Sequence, residues 1–324
     1  MAEQYLKLDN GRTLAYAEAG NPASSLLVIV FHGALNVGDA PKKVNPTFAR
    51  TDAHIVAPTI AGWGKTSPRL KDVPFSLNLL SDLSALIKHL HPNDANLKLA
   101  IMGGSYGTIA AQIVYGADFN TFPLGRNIVG CMIAGPFSPA KYHKDFAKAM
   151  TTANYISIGP PSQLIPFRLV QRLSAFIIGR STKSIDDAEG FIQKNLFDKM
   201  DADEKARYAV WRQENDKSER QLERELASIV VRSVEETWDG FYEMSDVMHG
   251  DWGFNPRDLD EEHYVQRPIF IVSAEGDDMS PDAMAKWLAA EYHNSHSRSI
   301  KGGHLSALYV MDDLWKQFFE LCGI

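Results

Sequence analysis

Short apolar runs alternate along the chain with segments in which apolar residues recur at helical spacing. The runs that predict buried strands are 26–31, 55–58, 97–102, 127–134 and 268–273. The segments that predict helices are 80–90, 106–116, 281–292 and 305–321. Strands that alternate with helices in this way predict a mostly parallel sheet covered by helices on both faces.

Further strands are expected at both ends of this series. Runs 5–9 and 13–19 are strand-like and are separated by Asn10-Gly11, which is a strong signal for a hairpin. Near the C-terminus, the short run 298–300 is the candidate for the last strand. The sequence therefore predicts a sheet that begins with a hairpin.

The alternation of strands and helices stops between Ala134 and Pro268. We expect a helical insertion at 137–251, lying over one end of a core formed by 1–136 and 252–324. Its first part, 156–178, is apolar, and its charged part, 186–224, carries apolar residues at helical spacing. This pattern predicts a small helical cap with its own core and a solvated outer face. The neighbouring charge is mixed rather than basic, which gives little support to a membrane-surface role.

Composition narrows the class of protein. The 324 residues fit two domains or one large domain with an insertion, and the net charge of −7 disfavours a nucleic-acid binder. The two cysteines exclude a disulfide scaffold. The N-terminus lacks a secretory h-region, and prolines and arginines interrupt the longest apolar stretch, so we expect a cytoplasmic protein without a membrane span. The oligomeric state is left open.

The strongest chemical signal is the sequence Gly103-Gly104-Ser105-Tyr106-Gly107, a G-x-S-x-G pattern between a predicted strand and a predicted helix. A strand that turns directly into a helix strains the residue at the apex and requires small neighbours. The serine hydroxyl is then expected to project above the helix N-terminus, where developing negative charge is favoured.

Several features occur in the order that is typical of the alpha/beta-hydrolase family, which the chain resembles over nearly its whole length. They are the hairpin, His-Gly at 32–33, Gly-Trp-Gly at 62–64, the G-x-S-x-G turn, a late acid and a later histidine. The resemblance implies an eight-stranded, mostly parallel sheet. It also implies a helical cap after the sixth strand, here 127–134.

A serine nucleophile needs a base, and the family order places that base near the C-terminus. His304, in the sequence KGGHLSAL, meets this requirement. His293 and His296 are its rivals, but they lie in a polar turn and are expected to be solvated.

The acid is expected after the strand at 268–273, where Asp277 and Asp278 stand together. The family pattern usually leaves three residues between the acid and a helix-starting proline. Asp277 has this spacing to Pro281, so we choose Asp277 and assign Asp278 to the turn.

The resemblance also implies where an oxyanion would be bound. The expected donors are the backbone N–H groups of Tyr106 and Ala34. His32 is expected to brace the loop that carries Ala34, while Leu35 and Trp63 are candidates for the substrate pocket. A second interpretation of the apolar stretch at 156–178 is that part of it faces Ser105 and forms a pocket for an acyl, aromatic or polyketide-like group.

These residues predict a serine hydrolase that cleaves a small to medium, largely apolar ester through an acyl-enzyme. The same triad also serves amide or aminopeptidase cleavage, C–C bond cleavage and non-hydrolytic biosynthetic steps, and a former hydrolase can act as a ligand receptor. The expected partner is a small-molecule substrate. P-loop, dinucleotide-binding and metal-ligand spacings are missing from the sequence, so no cofactor or metal is expected.

Overall fold

An eight-stranded sheet forms the centre of the protein, as the sequence predicts. The computed structural model describes residues 3–40, 46–92 and 95–324. The strands are β1 (Gln4–Lys7), β2 (Thr13–Gly20), β3 (Leu26–Phe31), β4 (His54–Pro58), β5 (Lys98–Gly104), β6 (Ile128–Ala134), β7 (Ile269–Ala274) and β8 (Ser295–Ile300). Their order in the sheet is β1-β2-β4-β3-β5-β6-β7-β8. The first two strands are antiparallel to their neighbours and the other six are parallel to one another, which confirms the predicted fold class.

The described residues form thirteen α-helices. They are α1 (Pro46–Thr51), α2 (Phe75–Leu90), α3 (Gly107–Tyr115), α4 (Thr152–Ser157), α5 (Pro160–Leu164), α6 (Leu169–Arg180), α7 (Ile185–Ile192), α8 (Ala202–Glu214), α9 (Gln221–Val234), α10 (Asp239–His249), α11 (Glu261–Tyr264), α12 (Asp282–Glu291) and α13 (Met311–Leu321). Helices α4 to α10 lie within 137–251, where the sequence predicts the insertion, and α11 follows them before β7. Below, the insertion means residues 137–251.

Two predicted helices differ from the structure at their first residues. Helix α2 begins at Phe75, directly after Pro74, five residues before the apolar spacing becomes visible. The predicted helix at 305–321 is divided into a 3₁₀ turn, Ser306–Val310, and α13. The tighter turn carries Ser306, whose hydroxyl donates a hydrogen bond to Glu204 of the insertion. Periodicity within a segment does not reveal such a contact with a distant part of the chain.

The sheet separates two apolar layers. Along β5, Leu99 and Ile101 face one layer, while Ala100 and Met102 face the other. This alternation follows from the period of two in a strand, and both faces are apolar because helices cover both. The parallel strands therefore read as continuous apolar runs in the sequence.

The insertion has an apolar cluster of its own, as expected for a cap. Its buried members are Ile192, Phe197, Met200, Leu222 and Val230. Three residues of the sheet-bearing part pack against this cluster, namely Leu35, Leu305 and Tyr309. The apolar stretch at 156–178 lies outside this cluster, and most of its large apolar side chains are exposed instead of contributing to a core. In the described part of the chain, every helix is too short or too polar to cross a bilayer.

Candidate active site

Ser105 occupies the sharp turn between β5 and α3. Its φ of 51° lies in the left-handed region, which is strained for a residue with a side chain. A Cβ at Gly103 would overlap the backbone of Gly107, and a Cβ at Gly107 would overlap the carbonyl of Phe31. The two glycines therefore allow α3 to pack closely against β5 and β3, and the strained turn is held between them.

His304 reaches Ser105 from the loop after β8. Its Nε2 lies 3.0 Å from the hydroxyl oxygen of Ser105, which is within hydrogen-bond distance. Gly302 precedes it with a φ of 107°, a conformation that favours glycine. The rival His293 is engaged elsewhere, because its Nε2 contacts the carbonyl of Arg257.

Asp277 holds the other nitrogen of His304. Its Oδ2 lies 2.7 Å from Nδ1 of the imidazole, and its side chain is almost completely buried. Its second oxygen accepts hydrogen bonds from the N–H groups of Met279 and Ser280, at 2.9 and 3.0 Å. Asp278 is exposed, and its backbone carbonyl accepts a hydrogen bond from Asn154. The structure thus brings Ser105, His304 and Asp277 into one chain of hydrogen bonds.

The loop after β3 lies against Ser105. A Cβ at Gly33 would come 3.3 Å from the Cβ of Ser105, so a larger residue there would crowd the serine. Among the hydrogen bonds of residues 3–40, 46–92 and 95–324, none uses the backbone N–H of Ala34 or of Tyr106. Both predicted oxyanion donors are thus free of acceptors within these residues.

Leu35, the residue after Ala34, connects the two parts of the molecule. It has a φ of 52° and packs against both the main core and the apolar cluster of the insertion. Leu35 therefore lies where the insertion meets the loop beside Ser105.

His32 braces this loop. Its Nδ1 donates to the carbonyl of Gly33 at 2.7 Å, while its Nε2 accepts the N–H of Ile60 at 2.9 Å. Only a neutral imidazole can donate at one nitrogen and accept at the other. Burial lowers the pKa of His32 to about 4, because the charged form would lose its hydration.

This lowered pKa predicts a loss of stability in acid. In the unfolded chain His32 has an ordinary pKa of 6.5 and becomes protonated as the pH falls, whereas in the folded protein it stays neutral until about pH 4. The folded protein therefore loses stability relative to the unfolded chain as the pH falls from 6.5 towards 4. From about pH 7 to about pH 5, the free energy of unfolding should fall by about 2 kcal/mol more in the wild type than in His32→Gln. Urea unfolding of both proteins measures this difference. Equal losses in the two proteins would contradict the assignment of a neutral His32.

Trp63 lies away from the predicted substrate pocket. It was expected at the substrate pocket, but it is only 1% exposed and belongs to the main core. Its ring packs near His32 and Tyr106, with centroids 6.3 Å apart in both cases. A tryptophan between glycines predicts a close turn, but it does not indicate which side of the turn the ring occupies. The buried ring of Trp63 thus packs beside two residues of the site, His32 and Tyr106.

Glu204 of α8 lies near the site, although no motif in the sequence predicts it there. Its side chain is buried, and its carboxylate accepts the N–H of Gly303 at 2.9 Å and the hydroxyl of Ser306 at 2.7 Å. The two donors flank His304 in the chain. The only signal in the sequence is Asp201 three residues earlier, a spacing that is typical of a capping box within one helix.

A cavity of about 510 Å³ opens beside His304. Its walls come from the insertion (195–204), the loop that carries Asp277 (275–279) and the loop that carries His304 (301–305). The imidazole is therefore reachable by water or a small alcohol. In the part of the chain that the structure describes, no group of three or more histidine, cysteine or acidic residues is placed to hold a metal ion.

Comparison with known proteins is consistent with this geometry. The family model described as "Alpha/beta hydrolase family" matches residues 28–320, which is most of the chain. The chain belongs to the alpha/beta hydrolase family. This confirms the resemblance that the sequence motifs indicate.

Solved structures that share this fold carry several different names. A hydrolase from Pseudomonas aeruginosa PA01 superposes with a TM-score of 0.66 at 15% identity, covering 99% of this chain and 98% of its own. A bromoperoxidase from Bacillus anthracis gives 0.64 at 16% identity with full coverage of both chains (100% each). The esterase RhEst1 from Rhodococcus sp. ECU1013 gives 0.60 at 14%, covering 100% of this chain and 99% of its own. No curated protein matches the chain. Identities this low establish the shared fold alone.

Proposed function

We propose that this alpha/beta hydrolase is a serine hydrolase that cleaves small to medium, largely apolar esters through an acyl-enzyme. The observation that carries the proposal is the hydrogen-bonded series Ser105–His304–Asp277, in which the serine is held on a strained turn. A hydroxyl is a weak nucleophile at neutral pH, and a neighbouring base that is itself oriented by a carboxylate overcomes this weakness.

Acylation begins when Ser105 attacks the ester carbonyl carbon while His304 Nε2 takes the hydroxyl proton. Asp277 keeps the imidazole in the tautomer that leaves Nε2 free to accept, and it stabilises the imidazolium that forms. The carbonyl oxygen becomes an oxyanion, which receives hydrogen bonds from the N–H groups of Ala34 and Tyr106. When the C–O bond to the alcohol breaks, His304 returns its proton to the leaving alkoxide.

Deacylation repeats these steps with water. His304 takes a proton from a water molecule, whose oxygen attacks the acyl carbon held on Ser105. The tetrahedral intermediate then collapses, the bond to Ser105 breaks, and His304 protonates the serine oxygen. The products are a carboxylic acid and the free enzyme. The cavity beside His304 supports this step because it provides a path for water.

Two features support an apolar acyl group. Leu35 follows the proposed oxyanion donor Ala34 and packs against the apolar cluster of the insertion, and Leu305 follows His304 and contacts the same cluster.

We propose that the insertion, 137–251, is a cap over the core formed by 1–136 and 252–324. One structure that shares the fold, RhEst1, is named an esterase, which is compatible with ester chemistry.

A panel of p-nitrophenyl esters from acetate to laurate, measured beside aminoacyl p-nitroanilides, tests the substrate class. We expect the highest kcat/KM with the short and medium esters and no measurable cleavage of the amides. A preference for amides with a free amino terminus would replace the ester proposal with an aminopeptidase. The same panel run on Ser105→Ala controls for spontaneous hydrolysis.

A further inference from the structure

Helix α6 exposes its large apolar side chains instead of burying them. Its buried residues are Gln171 and Ala175, whereas its large apolar side chains face outwards. Leu173 and Phe176 are 61% and 63% exposed. Gln171 donates to the carbonyl of Ser162, but its own side-chain oxygen is buried without a partner in the described structure. A surface helix normally buries its apolar side, so this orientation indicates a partner outside the chain.

The exposed apolar side chains of α6 extend over the neighbouring segments. Of the sixteen large apolar residues that are exposed in the described structure, nine lie within 155–177. These nine, here called the α4–α6 surface, are Tyr155, Ile156, Leu164, Ile165, Phe167, Leu169, Leu173, Phe176 and Ile177. The helices α4, α5 and α6 that carry most of them contact one another, so the residues form one region. Apolar regions of this kind mark interaction sites more often than free surface.

The segment of the chain that carries this surface is basic in sequence. Segment 151–185 contains no acidic residue and four basic ones, although the whole chain has a net charge of −7. Arg168 is paired with Asp246 of α10 at 2.7 Å. Arg172, Arg180 and Lys183 are exposed and make no ion pair in the described structure. The mixed charge noted in the sequence begins only at Asp186, beyond this region.

We propose that the α4–α6 surface docks on an anionic lipid surface. Exposed leucine, isoleucine and phenylalanine next to arginine and lysine are the combination that inserts into a headgroup region and attracts acidic lipids. A second copy of the chain fits less well, because two such surfaces placed face to face would bring their uncompensated cations together.

Vesicle sedimentation with the full-length protein tests this proposal. We expect binding to an equal mixture of phosphatidylcholine and phosphatidylglycerol to be at least about tenfold tighter than binding to phosphatidylcholine alone, and to weaken with salt. The double variant Leu173→Ser/Phe176→Ser should bind the mixed vesicles at least about tenfold more weakly. Arg172→Gln/Arg180→Gln should lose the preference for the anionic vesicles.

The matched control removes exposed apolar residues from elsewhere. Leu77 and Val265 are 46% and 59% exposed, so Leu77→Ser/Val265→Ser should bind the mixed vesicles as the wild type does. Equal binding of the wild type to both vesicles, or no binding at all, would overturn the proposal. A dimer that dissociates in Leu173→Ser/Phe176→Ser, measured by light scattering without vesicle binding, would assign the surface to a second copy instead.

A different observation supports a second inference, which rests on the proposed function. We infer that Glu204 is a positioning residue for His304. Its buried carboxylate connects the insertion to the residues on both sides of the base, Gly303 and Ser306. In a capping box, a glutamate at this position returns to the start of its own helix. Here it holds the loop of the base instead, and Arg207 of the same helix donates to the carbonyl of Lys301 at 3.1 Å.

The variant Glu204→Gln keeps the size of the side chain but presents an NH₂ group to one of the two donors. Because the base is then held less firmly, we expect kcat to fall between about tenfold and about a hundredfold, with KM changed less than about twofold. The matched control is Tyr208→Phe on the same helix, which removes a hydrogen bond to Glu223 within the insertion. Its kcat should equal that of the wild type.

The two proposals fail in distinguishable ways. An inactive wild type, or activity retained by Ser105→Ala, would remove the proposed function itself. An active wild type with unchanged kcat in Glu204→Gln, or with equal losses in Tyr208→Phe, would overturn the positioning role alone. A rise in KM without a fall in kcat would assign Glu204 to substrate binding and also overturn this role.

Discussion

Replacing Ser105 by alanine should lower kcat for ester hydrolysis by about five to six orders of magnitude. The loss is large because no acyl-enzyme can form without the hydroxyl, and His304 then has no nucleophile to activate. Steady-state assays with p-nitrophenyl butyrate measure the effect, and thermal unfolding confirms that the variant is folded.

The chain provides a matched control for this variant. Ser138 also contacts a histidine, with its hydroxyl 2.7 Å from Nδ1 of His143, but it does not occupy a strand-to-helix turn with positive φ. Ser138→Ala should therefore keep kcat within about threefold of the wild type. Activity that survives in Ser105→Ala and disappears in Ser138→Ala would identify Ser138 as the nucleophile and contradict the assignment of Ser105.

Replacing Asp277 by asparagine should lower kcat by roughly a thousandfold to ten-thousandfold. An amide at this position can donate to the imidazole, which favours the tautomer in which Nε2 carries the proton and cannot accept that of Ser105. The effect should appear in kcat while KM changes little. The same assay series on purified protein measures both constants.

The neighbouring carboxylate is the control for this substitution. Asp278→Asn removes the same charge one residue away, but Asp278 is exposed and makes no side-chain contact with His304 in the described structure. We expect kcat within about threefold of the wild type. Equal losses in both variants would mean that net charge in the loop matters and the hydrogen bond to His304 does not.

The sequence predicts the sheet well because each buried strand is marked locally. A run such as 26–31 is apolar throughout, which is the pattern of a parallel strand covered on both faces. The turn at Ser105 is equally local, since glycine is required at two fixed positions around it. The pairing of His304 with Asp277 joins residues 27 positions apart, and only the family's order and spacing predict it.

Features that depend on tertiary packing could not be predicted from the sequence. The direction in which α6 faces is one, because an apolar stripe predicts a buried side and carries no sign of an external partner. The contact of Glu204 with the loop of His304 is another, since it spans about a hundred residues and competes with a local capping role. Trp63 is a third case, because burial of a ring in a glycine turn depends on the loops above it.

Reaction with a fluorophosphonate, followed by peptide mass mapping, tests most directly whether Ser105 is the nucleophile. We expect one covalent adduct on the peptide that contains Ser105, slower labelling in His304→Ala and none in Ser105→Ala. A folded wild type that remains unlabelled, or an adduct on another residue, would contradict this assignment.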